Sequence, residues 1–142
     1  MNFLPVPAGP ISGQNPVCQG QNGVIYSVAP ITNATTYVWT VPTGATIVSG
    51  NGSNVITVNF STFALSGTIA VHGQNPLCGN GLSSSFPLLV NPLPAIAGPV
   101  SGPTPVCQNQ NNAGYSVTPI QYALTYLWNY TGIGANITNN GS

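Results

Sequence analysis

Lysine, arginine, aspartate and glutamate are absent from all 142 residues, and His72 is the single imidazole. That absence excludes most chemistry. General acid–base and nucleophilic catalysis need a carboxylate, a tuned lysine or a histidine oriented by a third group. A Ser-His-Asp constellation cannot be assembled here. Calcium is normally held by several carboxylates, so a calcium-stiffened linker is not expected either. Nucleic acids and anionic membrane surfaces attract proteins through Lys and Arg, and neither partner is expected of this chain.

Long hydrophobic runs are also missing. The longest purely apolar stretches are a few residues, as at 88–90, far short of the roughly 20 that a membrane span requires. The opening MNFLPVPAG has neither a charged n-region nor a continuous apolar h-region, so an export signal is expected elsewhere than in this sequence.

What is present is 42% apolar residues, 17 Gly and 14 Pro, with Asn, Gln, Ser and Thr making up most of the remainder. Disorder couples low hydrophobicity to high net charge. Here β-branched and aromatic residues recur in short runs between Gly- and Pro-containing turns, which is the pattern of an all-β domain. Candidate strands are 24–28, 36–41, 45–49, 54–60, 67–73 and 85–90. Tyr37, Trp39 and Val41 alternate with Val38 and Thr40. Ile56, Val58 and Phe60 alternate with Val55, Thr57 and Asn59. A period of two is what a strand with one face in a core shows. The inward face of the last candidate strand is ambiguous.

The strongest signal is internal repetition. GPISGQNPVCQGQNGVIYSVAPITNATTYVW at 9–39 recurs without a gap as GPVSGPTPVCQNQNNAGYSVTPIQYALTYLW at 98–128, at a constant offset of 89. Cys18 answers Cys107, Tyr26 answers Tyr115, Tyr37 answers Tyr126 and Trp39 answers Trp128. The register then slips by one, so that Gly44, Ala45 and Ile47 answer Gly134, Ala135 and Ile137, before Asn51, Gly52 and Ser53 again answer Asn140, Gly141 and Ser142 at the original offset. A period near 90 is close to the size of one immunoglobulin-like sandwich. The expected organisation is an N-terminal linker at 1–8, a complete β-sandwich at 9–92, a Pro-rich linker at 93–97 and a truncated second copy at 98–142.

In the segments GPISGQNPVCQGQNGVIYSV, TTYVWTVPTGATIVSGNGSNVITVNF, SGTIAVHGQNPLCGNG and LLVNPLP, the sequence resembles the PKD-like repeats of large surface and secreted proteins of Bacteroidetes. The resemblance implies a seven-stranded immunoglobulin-like sandwich in tandem arrays, exported to the cell surface, commonly by the type IX pathway, and serving as a non-catalytic spacer or adhesive stalk. PKD domains more typically carry an acidic Gly-Asp element shortly after the Trp. Here that place holds Val41-Pro42-Thr43-Gly44.

Cys18 and Cys78 are the two cysteines of the first copy, and a disulfide between them is expected. Closing a loop of about 60 residues would contribute roughly 4 kcal/mol on the chain-entropy model. The alternative is a pair of reduced thiols. Cys107 is expected to be unpaired or to bond another chain. No C-x-x-C spacing offers a tetrahedral metal site, and no cofactor is expected. Trp39 and Trp128 are read as core residues, with sugar stacking as the competing reading. Tyr26, Tyr37, Tyr115 and Tyr126 are read as core aromatics beside them. His72 is read as a solvated strand residue rather than a base or ligand. The sequons at Asn33, Asn51 and Asn136 follow from abundant Asn, Ser and Thr.

The functional expectation is therefore a structural or adhesion module whose partners are neighbouring repeats of the same polypeptide. Self-association through the second copy is expected, because its apolar face and strand edges lack covering strands and zero net charge removes electrostatic repulsion. The alternative is a glycan-binding accessory module of a secreted enzyme. That role requires exposed aromatic rings aligned on one sheet face beside Asn and Gln amides.

Overall fold

Each short β-branched and aromatic run of the first copy becomes a strand in the computed structural model, which describes residues 3–138 and contains no helix among them. Ten strands follow in chain order: β1 (Ser12–Gly13), β2 (Val17–Cys18), β3 (Val24–Ser27), β4 (Thr36–Thr40), β5 (Ala45–Ser49), β6 (Val55–Phe60), β7 (Gly67–Asn75), β8 (Gly79–Asn80), β9 (Ser84–Leu88) and β10 (Val90–Asn91). All lie in the first of two units, which meet between Pro92 and Leu93.

One sheet has the order β1-β3-β6-β5, all antiparallel. In the other, β7 pairs with β4 along one edge and with β8 and β9 along the opposite edge. A parallel pair, β2 with β10, joins the N-terminal segment to the end of the unit. This is the strand arrangement of a constant-type immunoglobulin sandwich, as the sequence predicts.

The period-two patterns explain which faces meet. Ile56, Val58 and Phe60 of β6, with Val24 and Tyr26 of β3, are buried from one sheet; Ile69 and Val71 of β7, Trp39 of β4 and Leu88 of β9 are buried from the other. Each fully buried aliphatic or aromatic side chain stabilises by roughly 1.5–3 kcal/mol through its removal from water. The Tyr26 and Phe86 rings meet edge to face with centroids 6.0 Å apart, a favoured aromatic geometry. Phe86 and Leu88 resolve the ambiguity of the last strand, since both turn towards the core and Leu89 is exposed.

Two expectations are corrected. The N-terminal segment expected as a linker is docked: Pro5 is buried, the Val6 amide donates to the Thr32 carbonyl at 3.1 Å and the Ala8 amide to the Leu82 carbonyl at 3.0 Å. Residues 93–97 repeat this in the second unit, where the Ala95 amide donates to the Gln121 carbonyl at 2.9 Å, again at an offset of 89. The repeat therefore begins at Leu4 and Leu93, in LPVPAGPISG and LPAIAGPVSG.

The expected Cys18–Cys78 disulfide is absent, and all three cysteines are free thiols. Cys18 pairs with Asn91, while its neighbours Gln19 and Gly20 reach the Ala64 and Ser61 carbonyls, all near the Gly67 end of β7. Cys78 lies in the turn after Asn75, at the other end of the same strand. Nine extended residues span about 25 Å, whereas a disulfide needs Cα atoms within about 7 Å. Reducing agent should therefore leave the melting temperature of the first unit unchanged. The double substitution Cys18→Ala, Cys78→Ala should cost under about 1 kcal/mol in urea unfolding, and a loss several times larger would restore the bridge.

Candidate functional site

The side chains with chemical potential are placed apart. His72 lies on the outward face of β7, opposite Val38, with Ser83 Oγ 3.5 Å from its Nδ1, a separation at the outer limit for a hydrogen bond. Among the described residues, no three His or Cys gather as metal ligands would. The outward face around His72 carries Thr36, Val38 and Thr40 from β4 and Thr68, Ala70 and Gln74 from β7, none of them aromatic.

The first unit's aromatic residues instead build its frame. Tyr26 is fully buried and its hydroxyl donates to the Gln14 carbonyl at 2.9 Å. Its ring lies over Gly13, where a Cβ would overlap the ring carbons. Trp39 Nε1 donates to the Ser53 carbonyl at 2.8 Å, tying β4 to the loop before β6. The Tyr37 hydroxyl accepts from the Ile31 amide at 2.9 Å. These three are core or core-packed residues, as expected. Phe3 and Phe63 are exposed, and both lie outside the named strands.

Burial pushes the Tyr26 phenol up from 10.0 to about 12. The raised value means that the neutral phenol is favoured in the folded state. The stability it contributes is fully present below about pH 10 and is lost as pH rises from 10 towards 12. The effect is on the order of 1–2 kcal/mol. Spectrophotometric titration should show one tyrosine ionising late and together with unfolding, and Tyr26→Phe should remove that late step. Retention of the step in Tyr26→Phe would assign it to another residue.

Sequence reasoning missed the polar clamps around this frame. Asn15 Nδ2 donates to the Pro87 carbonyl and its Oδ1 accepts from the Leu89 amide, both at 3.0 Å, fastening the N-terminal segment to β9 and the residue after it. Ser66 Oγ accepts from the Val90 amide at 2.8 Å. Single polar residues in turns carry no periodic signal. The glycine under Tyr26, by contrast, was detectable, because both copies place Ser-Gly thirteen residues before Tyr.

The second unit reproduces these local contacts with little burial. The Tyr115 hydroxyl donates to the Pro103 carbonyl at 3.0 Å, the Ile120 amide donates to the Tyr126 hydroxyl at 2.9 Å, and the Cys107 amide donates to Gln110 Oε1 at 2.9 Å. Each has its counterpart in the first unit. Ser101 bridges Ser116 as Ser12 pairs with Ser27. Yet Tyr115 is 49% exposed where Tyr26 is 0%, and Val106 is 50% exposed where Val17 is 1%. The expectation that Tyr115, Tyr126 and Trp128 are core aromatics is thus corrected. Tyr126 and Trp128 are half-buried, because segments equivalent to β6, β7 and β9 are not among the 142 residues.

No match is found among curated proteins. A family model described as a PKD-like domain matches residues 4–88 and again 93–142, and those two starts are the Leu-Pro positions at which the docked N-terminal segments begin. With an all-β immunoglobulin-like sandwich in the first unit and its local contacts repeated in the second, the chain belongs to the PKD-like domain family, a class of generally non-catalytic structural modules.

Proposed function

We propose that this chain is a spacer or stalk segment of a larger extracellular or cell-surface protein, holding distance and presenting surface through successive PKD-like copies. The observation that carries the reading is the joint. β10 ends at Asn91 and the next copy starts at Leu93, so Pro92 alone lies between them. The connection is thus a single residue, and a proline, whose backbone φ is fixed near −65°. Location outside the cell is supported by the family, whose domains typically occur in extracellular proteins. The absence of charged side chains supports a passive role.

Polypeptides carrying two, four and six complete copies at the natural spacing would test the reading by small-angle scattering. The maximum dimension should grow by a constant increment of roughly 30 Å or more per copy, the order of the length of a strand such as β7. A dimension that hardly rises with copy number would contradict the spacer role, and binding to a glycan array would move the assignment to the accessory-module class.

A further inference from the structure

A chain without Asp, Glu, Lys or Arg gains a permanent side-chain charge only by modification. Asparagine followed by glycine is open to modification by its own backbone, because glycine, having no Cβ, lets its main-chain nitrogen approach the carboxamide carbon of the preceding side chain. The described residues contain three such pairs, Asn22-Gly23, Asn51-Gly52 and Asn80-Gly81. Two are held shut. The Gly23 amide donates to Asn59 Oδ1 at 2.8 Å and the Gly81 amide to the Gly73 carbonyl at 2.9 Å, and a donating nitrogen must lose its partner before it can attack. At Gly52 the bonds fall on the other side of the residue. Its carbonyl accepts from the Tyr37 amide at 3.1 Å and from Thr36 Oγ1 at 3.3 Å, while its amide has no acceptor in hydrogen-bonding geometry among the described residues. Asn51 is exposed in the turn between β5 and β6, and its carboxamide makes no hydrogen bond there.

We infer that Asn51 is a self-modification site, at which the folded first unit converts a carboxamide into a carboxylate. The Gly52 nitrogen, on losing its proton to hydroxide, bonds to Asn51 Cγ. The Cγ–Nδ2 bond breaks, ammonia leaves with a proton from water, and a cyclic imide remains. Water then opens the ring. Opening at the side-chain carbonyl gives aspartate. Opening at the main-chain carbonyl gives isoaspartate, whose backbone runs through Cβ and Cγ and is longer by one carbon. Water is the sole co-reactant consumed, and both products carry one negative charge that no Lys or Arg is present to pair. The turn has little room for the extra carbon. A Cβ on Gly50 would already overlap the Val55 carbonyl oxygen, and the Ser53 carbonyl accepts from Trp39 Nε1 at 2.8 Å. Modification therefore places a like charge on every copy of an uncharged surface, which opposes self-association, and loosens the tie between β4 and the loop before β6. The Asn-Gly-Ser triplet recurs at 140–142, outside the described residues.

The test follows the whole 142-residue chain during incubation at mildly alkaline pH. Digestion after aromatic residues places Asn22, Asn51, Asn80 and Asn140 in different peptides, and tandem mass spectrometry reads deamidation at each. In the folded chain Asn51 should react at least about tenfold faster than Asn22 or Asn80, whose glycine amides are released only by local opening. In urea the three should react at similar rates, because the bonds to Gly23 and Gly81 are gone. A protein isoaspartate methyltransferase should transfer a methyl group to the peptide carrying residue 51 in the aged chain. Asn51→Gln, whose longer side chain disfavours the imide ring, should silence that peptide and leave Asn22 and Asn80 unchanged. If Asn22 or Asn80 keeps pace with Asn51 in the folded chain, or if Asn51 stays intact there while it reacts in urea, the assignment is overturned.

Discussion

Tyr26→Ala should destabilise the first unit by about 4 kcal/mol, whereas Tyr115→Ala, the same substitution at the same repeat position, should cost under about 1 kcal/mol. Removing a buried aromatic ring forfeits its transfer free energy and leaves a cavity. At residue 26 it also removes the edge-to-face contact with Phe86 and the hydrogen bond to Gln14. Small domains are stable by only about 5–15 kcal/mol, so a loss of this size could leave a large unfolded fraction at 37 °C. At residue 115 the ring is already half in solvent, and little burial remains to be lost. Urea unfolding reads the first effect through Trp39 in a chain carrying Trp128→Phe, and the second through Trp128 in a chain carrying Trp39→Phe. Equal destabilisation by the two substitutions would mean that both copies are closed.

Gly50→Ala is expected to be the most damaging small substitution, with a cost of about 3 kcal/mol or more. Gly50 turns the chain between β5 and β6 with φ at 77°. A side chain in the left-handed region costs roughly 1–2 kcal/mol. In addition, a Cβ there would overlap the Val55 carbonyl oxygen and stand 3.1 Å from the Ile56 Cα, so β6 would have to shift away from the turn. Gly23 provides the control. Its φ is 71° but nothing lies within 4 Å of an added Cβ, and the second copy carries Asn112 at the equivalent position with φ at 61°. Gly23→Asn should therefore change stability by less than about 1 kcal/mol. Chemical denaturation of the two variants side by side separates backbone strain from steric overlap.

The strands that sequence reasoning placed are those whose side chains alternate in burial. The predicted 54–60 and 45–49 segments became β6 and β5 within one residue at each end, because β-branched and aromatic residues at every second position favour an extended strand with one buried face. The two-residue strands β1, β2 and β8 were not legible. Each exists through pairing with a segment distant in sequence or across a turn, and two residues cannot display a period. The docked segment at 4–8 is held by isolated main-chain hydrogen bonds that leave no periodic pattern in its side chains, although the same Leu-Pro and Ala-Gly recur 89 residues later. The disulfide expectation failed for a related reason: Cys18 and Cys78 flank the core in sequence, and only the sheet topology reveals that β7 runs between them. For the second copy, sequence identity conveyed local geometry faithfully, while burial depends on strands supplied by the second half of the fold.

A chain without acidic or basic side chains also lacks the usual route to acid unfolding, which is protonation of carboxylates paired in the native state. Its cohesion comes from the two-sheet core and the polar clamps at Asn15 and Ser66, and surface ion pairs contribute nothing. This suits a module whose role is shape.

One fold occurs twice, closed over residues 4–91 and open over 93–138. Amide hydrogen exchange of the intact 142-residue chain tests it most directly. Slow exchange is predicted for the paired amides of β3, β6 and β7, with exchange faster by orders of magnitude at 113–116 and 125–129. Comparable protection of the two sets in a monomer would contradict the account.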